Sequence, residues 1–152
     1  MSKGFRTVSA GVTKRKFTLG CENCNFTELY VKEHGLKTGS ECPRCKSKTV
    51  RLFDSASEAQ RNCELQTLAN SGYVEDLRYQ VPFPLNVICE TTDKKIVVGS
   101  YICDFYYYEL DKDQNMVLVV EDVKGNVVTD IFEMKRKHFE AQYGIKIRLV
   151  KR

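Results

Sequence analysis

Four cysteines lie in two C-x-x-C pairs, Cys21/Cys24 and Cys42/Cys45, separated by 17 residues. Each C-x-x-C turn can present two thiolates from one tight loop, and four thiolates complete the tetrahedral shell of a structural Zn²⁺ site. A redox pair or a disulfide would use similar spacing, but both are rare where cysteines stay reduced. The spacing therefore predicts a structural zinc site whose metal binding is coupled to the folding of a small module.

A second group of chemically active residues lies in "MVLVVEDVKG", residues 116–125. Side chains alternate between the two faces of a strand, so Asp122 and Lys124 share one face and Glu121 lies on the other. An acid and a lysine at the end of an apolar strand are costly to bury unless they are paired or used. A further isolated acid, Asp104, lies in "YICDFYYYE", and a long hairpin would set it beside Asp122.

Two carboxylates side by side repel each other, and a hard divalent cation relieves the repulsion by taking oxygen ligands from both. Each residue also has a plainer explanation. Asp122 and Lys124 would form a cross-strand salt bridge, and Asp104 would occupy an exposed strand position. The combination of the three favours a metal site formed by Asp104 and Asp122, with Lys124 beside the reacting phosphate.

The elements that position these residues follow one another after Phe53. Ser55 and Gly72 bound a helix within "DSASEAQRNCELQTLANSG", and "TDIFEMKRKHFEAQYG" predicts a second helix. The prolines at 82 and 84 indicate a sheet edge or a bend. Alternating or apolar runs predict strands at Val74–Val81, Leu85–Glu90, Lys95–Tyr108, Met116–Val123 and in "IKIRLV". The order is α-β-β-β-α-β with one or two extra strand segments.

Positive charge is concentrated at the start of the chain. Residues 1–52 hold 11 Lys/Arg against 4 Asp/Glu, whereas residues 53–152 hold 13 against 16. Such asymmetry favours a polyanionic partner, most often nucleic acid, over a merely solvated basic surface. We expect phosphate contacts from Lys14, Arg15, Lys16, Arg44, Lys46, Lys48, Lys135 and Lys137. Gln80 is either a further contact to DNA or to water at the metal, or a polar residue at a strand end.

The composition predicts three regions: a basic flexible tail over residues 1–14, a cysteine module over 15–52 and an α/β core over 53–152. The module resembles a zinc ribbon, a fold that contacts DNA in some proteins and docks on proteins in others. The sequence has no apolar run of the ~20 residues that cross a bilayer, and its start lacks the apolar stretch of a signal peptide. We expect a cytoplasmic protein without a membrane partner.

Asp104 and Asp122-Val123-Lys124 resemble the D…[DE]-x-K pattern of the PD-(D/E)xK nuclease superfamily. The blocks "FDSASEAQRNCEL", "LRYQVPFPL", "YICDFYYYE", "VVEDVKG" and "KRKHFEAQYGIKIRLV" are similar, in order, to those of phage and prophage endonuclease-like proteins. That family is related in fold to archaeal Holliday-junction resolvases and to the transposase endonuclease TnsA. The similarity covers about residues 53–150. One departure is Cys103, which stands before Asp104 where the superfamily often has a proline.

The resemblance implies a restriction-endonuclease-like αβββαβ core with a mixed central sheet. It implies a divalent-metal-dependent DNA endonuclease, a phage resolvase of Holliday junctions or other branched DNA in recombination, acting in the host cytoplasm as a homodimer. Glu58, Asp104, Asp122 and Lys124 would be the catalytic residues. Mg²⁺ or Mn²⁺ would be held by Asp104 and Asp122, assisted by Glu58 and the carbonyl of Val123. Glu58 has an alternative role, since it lies three residues after Ser55 and would complete a capping box.

Two other functions compete with the nuclease. A non-catalytic protein could use the zinc ribbon to bind nucleic acid or a protein, with the nuclease fold as a scaffold. A zinc-ribbon transcription factor is the third hypothesis, but it leaves residues 53–152 without a purpose. The complete set of acids together with Lys124 favours the enzyme.

Overall fold

The structure, a computed structural model, describes residues 16–31, 37–125 and 127–151. The chain divides into two compact units, residues 1–56 and 57–152. The division at Ala56 falls close to the boundary proposed from the sequence at residue 52. The proposed basic tail over residues 1–14 lies outside the described residues.

The first unit contains a small antiparallel sheet with the strand order β2-β1-β3. Its strands are β1 (Lys16–Cys21), β2 (Thr27–Val31) and β3 (Val50–Phe53). The core cluster has four fully buried residues, Leu19, Cys21, Cys42 and Val50. Two of the four are cysteines, and such a small apolar core normally needs a disulfide or a metal to be stable.

The second unit has a four-stranded mixed sheet with the order β4-β5-β6-β7. β4, β5 and β6 are antiparallel neighbours, whereas β6 and β7 are parallel. A parallel pair requires a crossover connection, and α2 provides it. The elements are α1 (Ala56–Asn70), β4 (Val74–Ile88), β5 (Lys95–Leu110), β6 (Met116–Lys124), α2 (Asp130–Tyr143) and β7 (Ile147–Lys151). The predicted α/β class, element order and mixed sheet are confirmed.

β4 is one strand, so the predicted division of this segment at its prolines is wrong. Among the described strands, β4 has β5 as its single neighbour. Pro82 and Pro84 are accommodated because an edge strand has no second ladder that would need their missing N–H groups. The prediction of an edge position is confirmed. The register shifts between Glu75 and Arg78 and again between Leu85 and Asn86.

The two helices pack on opposite faces of the sheet. Val120 lies in a buried cluster with Phe139 of α2, and the neighbouring residue Glu121 contacts Arg61 of α1. Adjacent strand residues face opposite sides, so α1 and α2 lie on opposite sides of β6. Among the described residues, no helix is long and apolar enough to cross a membrane.

Polar residues stand at the start of both helices, and glycines follow their ends. Ser55 stands immediately before the first residue of α1, and Gly72 follows its end with a left-handed φ of 76°. At α2, Thr129 accepts a hydrogen bond from the Phe132 amide, and Gly144 adopts a left-handed φ of 68°. These caps fix where α2 begins, directly beyond the loop that follows Lys124.

Candidate functional site

A cavity of about 290 Å³ brings together Asp104, Asp122 and Lys124. It opens where β5 and β6 separate, because their paired register ends at Phe105 and Glu121. Asp104 is the next residue of β5 beyond this last pair, and Asp122 is the next residue of β6. The other lining residues are Ser100, Tyr101, Ile102, Thr129, Ile131, Phe132 and Lys135. The expected convergence of the two aspartates and the lysine is therefore present.

Asp104 is held by two hydrogen bonds. The Val123 amide donates to its Oδ2 at 2.8 Å, and Gln80 Nε2 donates to its Oδ1 at 3.2 Å. Burial, followed by the negative charge of Asp122 and more weakly that of Glu58, raises the pKa of Asp104 to about 7. The Val123 amide and Lys124 oppose this shift. Asp104 thus sits in a negative field that a bound cation would relieve.

Asp122 is almost completely buried, with 1% of its surface exposed. Its Oδ1 contacts Lys124 Nζ, so the salt bridge expected as a plain explanation does form. Its Oδ2 accepts a hydrogen bond from the Tyr101 hydroxyl. Lys124 Nζ also lies 4.5 Å from the centre of the Phe132 ring, in a cation–π contact. Both oxygens of Asp122 are therefore oriented by neighbouring side chains.

Tyr101 is a further residue of the site, and it was not among the predicted site residues. Burial and the adjacent charge of Asp122 raise the pKa of Tyr101, so its hydroxyl stays protonated and acts as a donor. Its ring packs against Phe132 and Phe139, with centroids 6.4 Å and 5.0 Å away. The sequence offered little signal, because Tyr101 belongs to a strand that contains several other aromatic residues.

Glu58 lies in the first turn of α1 and is half-buried. Its charge contributes to the raised pKa of Asp104, so it belongs to the same electrostatic environment. Glu58 does not form a compact group of three metal ligands with Asp104 and Asp122. Among the described residues, the one group of three or more potential ligands whose atoms all lie within 4.8 Å of each other is the cysteine group. Glu58 and the carbonyl of Val123 remain predictions as metal ligands.

An acidic pair without a third close ligand suits Mg²⁺. This ion keeps several waters and is commonly bound by one or two carboxylates together with substrate phosphate. Asp104 and Asp122 line one cavity, and burial, followed by the negative charge of Asp122, raises the pKa of Asp104. The residues present therefore fit a hard divalent cation.

Gln80 combines an unusual backbone with a contact to the candidate site. Its φ of 50° is left-handed, which is uncommon and strained for a residue other than glycine. The flanking side chains consequently face opposite sides of the sheet. Tyr79 packs against Phe105 on the α1 side, whereas Val81 joins the cluster on the α2 side. This twist accompanies the hydrogen bond of Gln80 to Asp104.

Glu121 points away from the cavity, as the strand alternation predicts. It is fully buried and accepts two hydrogen bonds from Arg61, at 2.7 Å and 2.8 Å. The Tyr107 hydroxyl donates a third at 2.6 Å. This bidentate ion pair connects the helix that carries Glu58 with the strand that carries Asp122.

The four cysteines gather into the predicted group, with all four Sγ atoms within 4.8 Å of one another. Cys21 Sγ lies 3.6 Å from Cys45 Sγ, and Cys24 Sγ lies 3.8 Å from Cys42 Sγ. A zinc tetrahedron with bonds of about 2.3 Å has edges of about 3.8 Å. A disulfide would bring two sulfurs to about 2.05 Å, and none of the four cysteines forms one. The group could therefore hold a structural metal such as zinc.

The two cysteine turns have the same backbone conformation. In the first, the Asn25 amide donates to the Cys21 carbonyl at 2.9 Å, and in the second the Lys46 amide donates to the Cys42 carbonyl at 2.9 Å. Asn25 and Lys46 have left-handed φ angles of 54° and 62°. Each turn presents its two thiols on the same side, as a shared metal requires.

Hydrogen bonds lower the pKa values of the cysteine thiols, whereas burial raises them. Hydrogen bonds from Asn23 and Ser47 lower the pKa of Cys45 to about 5. Burial opposes ionisation of Cys21, but hydrogen bonds from Thr49 and Ser47 outweigh it and lower its pKa to about 7. Burial raises the pKa of Cys24 to about 12. A bound cation would favour the thiolate of Cys24, which burial disfavours.

The predicted DNA contacts fall into three groups. Arg44, Lys46 and Lys48 are exposed in the first unit, and Lys137 is exposed on α2. Lys135 lines the cavity that holds Asp104 and Asp122. Lys14, Arg15 and the side chain of Lys16 lie outside the described residues.

Residues 45–152 match the model of a family described as "Protein of unknown function (DUF1064)". The chain belongs to this family. No curated protein and no solved structure matches it. The matched region contains every residue of the acidic cavity but only Cys45 of the four cysteines. The match to the DUF1064 family therefore spans the acidic cavity, whereas most of the cysteine module lies before it.

Proposed function

We propose that this protein is a divalent-metal-dependent DNA endonuclease that hydrolyses phosphodiester bonds, with branched DNA such as a Holliday junction as its preferred substrate. One observation carries the proposal. Asp104, Asp122 and Lys124 line a single cavity, and burial together with like charge raises the pKa of Asp104. Clustered acids with a perturbed pKa in a cleft are typical of functional sites.

Mg²⁺ or Mn²⁺ would be held by Asp104 and Asp122, with Glu58 and the Val123 carbonyl assisting. When bound, such an ion polarises a phosphate and favours ionisation of a nearby water. Asp104 is already oriented for this role by Gln80 and the Val123 amide. Asp122 is oriented in the same way by Tyr101 and Lys124.

Lys124 would be the cation that stabilises charge on the phosphate. Its ammonium contacts Asp122 while 26% of the side chain remains exposed, so it can reach a substrate in the cavity. A positive charge placed before the reaction stabilises the developing negative charge of the transition state. Lys124 would also orient the attacking water.

Basic residues would hold the DNA backbone, with Lys135 at the cavity and the other predicted lysines and arginines further away. Binding should weaken as the salt concentration rises, because phosphate contacts release counterions. Cutting two strands of a junction needs two active sites, so this function implies a homodimer.

A non-catalytic binding protein is the second candidate. One observation favours it, because both oxygens of Asp122 are already engaged by Tyr101 and Lys124. Under this hypothesis the charge pair stabilises the fold, and the lysines bind nucleic acid without cleavage.

A cleavage assay separates the two candidates. The purified full chain is incubated with a four-way junction, a flap and plain duplex, each with Mg²⁺, Mn²⁺ or EDTA. We expect cleavage of branched DNA that requires the metal and stops in EDTA. Tight binding to all three DNAs without cleavage under either metal would overturn the nuclease and establish the binding protein.

We also propose that the four-cysteine group binds one structural Zn²⁺. Cys42→Ser should abolish zinc binding and unfold residues 15–52, because four thiolates at tetrahedral spacing complete the site. The α/β core should stay folded. Zinc content by elemental analysis and protease resistance of each unit measure the two effects. Cys63→Ser, a matched change in α1, should keep the zinc. Retention of stoichiometric zinc by Cys42→Ser would contradict the assignment.

A further inference from the structure

The far end of the β4–β5 hairpin is an apolar ribbon that extends beyond the rest of the sheet. We call residues 86–98 the arm. The β5–β6 register stops at Phe105, so in the described sheet the two strands of the arm pair only with each other. Five of its aliphatic side chains are between 41% and 70% exposed, namely Val87, Ile88, Ile96, Val97 and Val98.

The apolar residues occupy both faces of the arm. Val87 is paired with Ile96, while Ile88 and Val97 lie at neighbouring positions whose side chains point to the other face. Val98 stands at the register shift that follows Leu85. A two-stranded ribbon is only marginally stable in water, and clustered exposed apolar residues mark interaction surfaces. The arm therefore has the composition of a surface that is buried against a binding partner.

Charge distinguishes between the candidate partners. The turn of the arm carries two acids, Glu90 and Asp93, and two lysines, Lys94 and Lys95. Nucleic acid requires an excess of positive charge, which the arm lacks. Equal numbers of both signs in one short segment suit a twofold contact, in which the acids of one copy face the lysines of the other. This self-complementarity favours a second copy of the chain.

A recess beside the arm offers a place for an anchoring side chain. A cavity of about 510 Å³ lies between the arm and α2 and is lined by Asn86, Ile88, Lys95, His138, Ala141 and Gln142. Aliphatic residues of a partner arm match a recess that has Ile88 and Ala141 in its wall. Interfaces commonly gain most of their affinity from a few side chains buried in such pockets.

We infer that the arm is a homodimer interface, in which the arms of two copies pack on each other about a twofold axis with their exposed valines and isoleucines buried. The contact supplies the surface for the homodimer that the proposed function requires, but no residue of the arm belongs to the acidic cavity, so loss of dimerisation and loss of cleavage can be measured separately. An inactive protein should dimerise as well as an active one.

Sedimentation velocity of the full chain over a range of concentrations tests the interface. We expect a reversible dimer of the 17.5 kDa chain. Val97→Lys should raise the dissociation constant at least about tenfold, since it places an unpaired charge in a buried contact. Val97 is exposed in the single chain, so the variant should keep the circular dichroism spectrum of the wild type.

Val127→Lys is the matched control, because the same change is made at an exposed valine outside the arm. It should leave the dissociation constant unchanged, as should Asp122→Asn. A wild-type protein that is monomeric at every concentration would overturn the inference. A dimer equally stable with Val97→Lys would also overturn it, and so would open-ended oligomers, which a closed twofold contact does not form.

Discussion

Asp122→Asn is expected to reduce metal-dependent DNA cleavage by about 10³-fold, because a metal-site charge contributes several kcal/mol to a phosphoryl transition state. The substitution keeps the size of the side chain, and its oxygen can still accept the hydrogen bond from Tyr101. It removes the negative charge that would attract the metal and that Lys124 contacts. Single-turnover cleavage of a branched substrate over a Mg²⁺ titration measures the loss.

Two variants make this result specific. Asp113→Asn makes the same change in an exposed loop and should keep full activity. Tyr101→Phe removes only the hydroxyl that orients Asp122 and should weaken metal affinity by about 10–100-fold, as is usual for groups that orient a ligand. If Asp122→Asn cleaves as fast as the wild type while remaining folded, Asp122 is not part of a catalytic metal site.

The buried pair of Arg61 and Glu121 should carry the largest single effect on stability. Arg61→Met leaves the fully buried Glu121 without its cation, and the loss of one partner of such a pair lowers the free energy of unfolding by about 3–5 kcal/mol. Urea denaturation measures the change. Cleavage should fall as well, because the pair holds α1 against the strand that contains Asp122.

Arg78→Met provides the comparison at the surface. Arg78 pairs with Asp76, but both side chains are largely exposed, at 60% and 44%. Loss of this exposed pair should lower the free energy of unfolding far less than loss of the buried pair, because solvent screens exposed charges. If Arg61→Met and Arg78→Met lowered the free energy of unfolding equally, the burial of Glu121 would not determine the strength of its ion pair.

Local sequence signals were sufficient for the element order and for the cysteine group. Capping residues, glycines and apolar periodicity act within a few residues, so α2 could be placed within the segment that begins with the acids Asp130 and Glu133 and ends before Gly144. The cysteine spacing was informative for the same reason, since each turn is built from consecutive residues. The prolines indicated an edge or a bend, and the edge is what forms. They did not end the strand, because an edge strand has no second neighbour that needs the N–H groups they lack.

Contacts between distant residues lay outside the reach of these signals. Tyr101 and Asp122 are 21 positions apart, and Arg61 and Glu121 are 60 apart. Strand alternation predicted that Glu121 faces away from Asp122, but it could not name the arginine that neutralises it. Nor could it predict the left-handed Gln80, which turns its neighbours to opposite faces and accompanies its bond to Asp104.

The residue types available for chemistry, four thiols at zinc spacing and an acid-x-lysine strand end, can be read from short-range order along the chain. Which of these residues lie close together depends on the packing of distant segments. β5 and β6 separate just beyond Phe105 and Glu121, and this separation places Asp104 and Asp122 in one cavity while leaving Glu58 outside a compact triad. That outcome is set by strand register and helix packing, which no local pattern specifies.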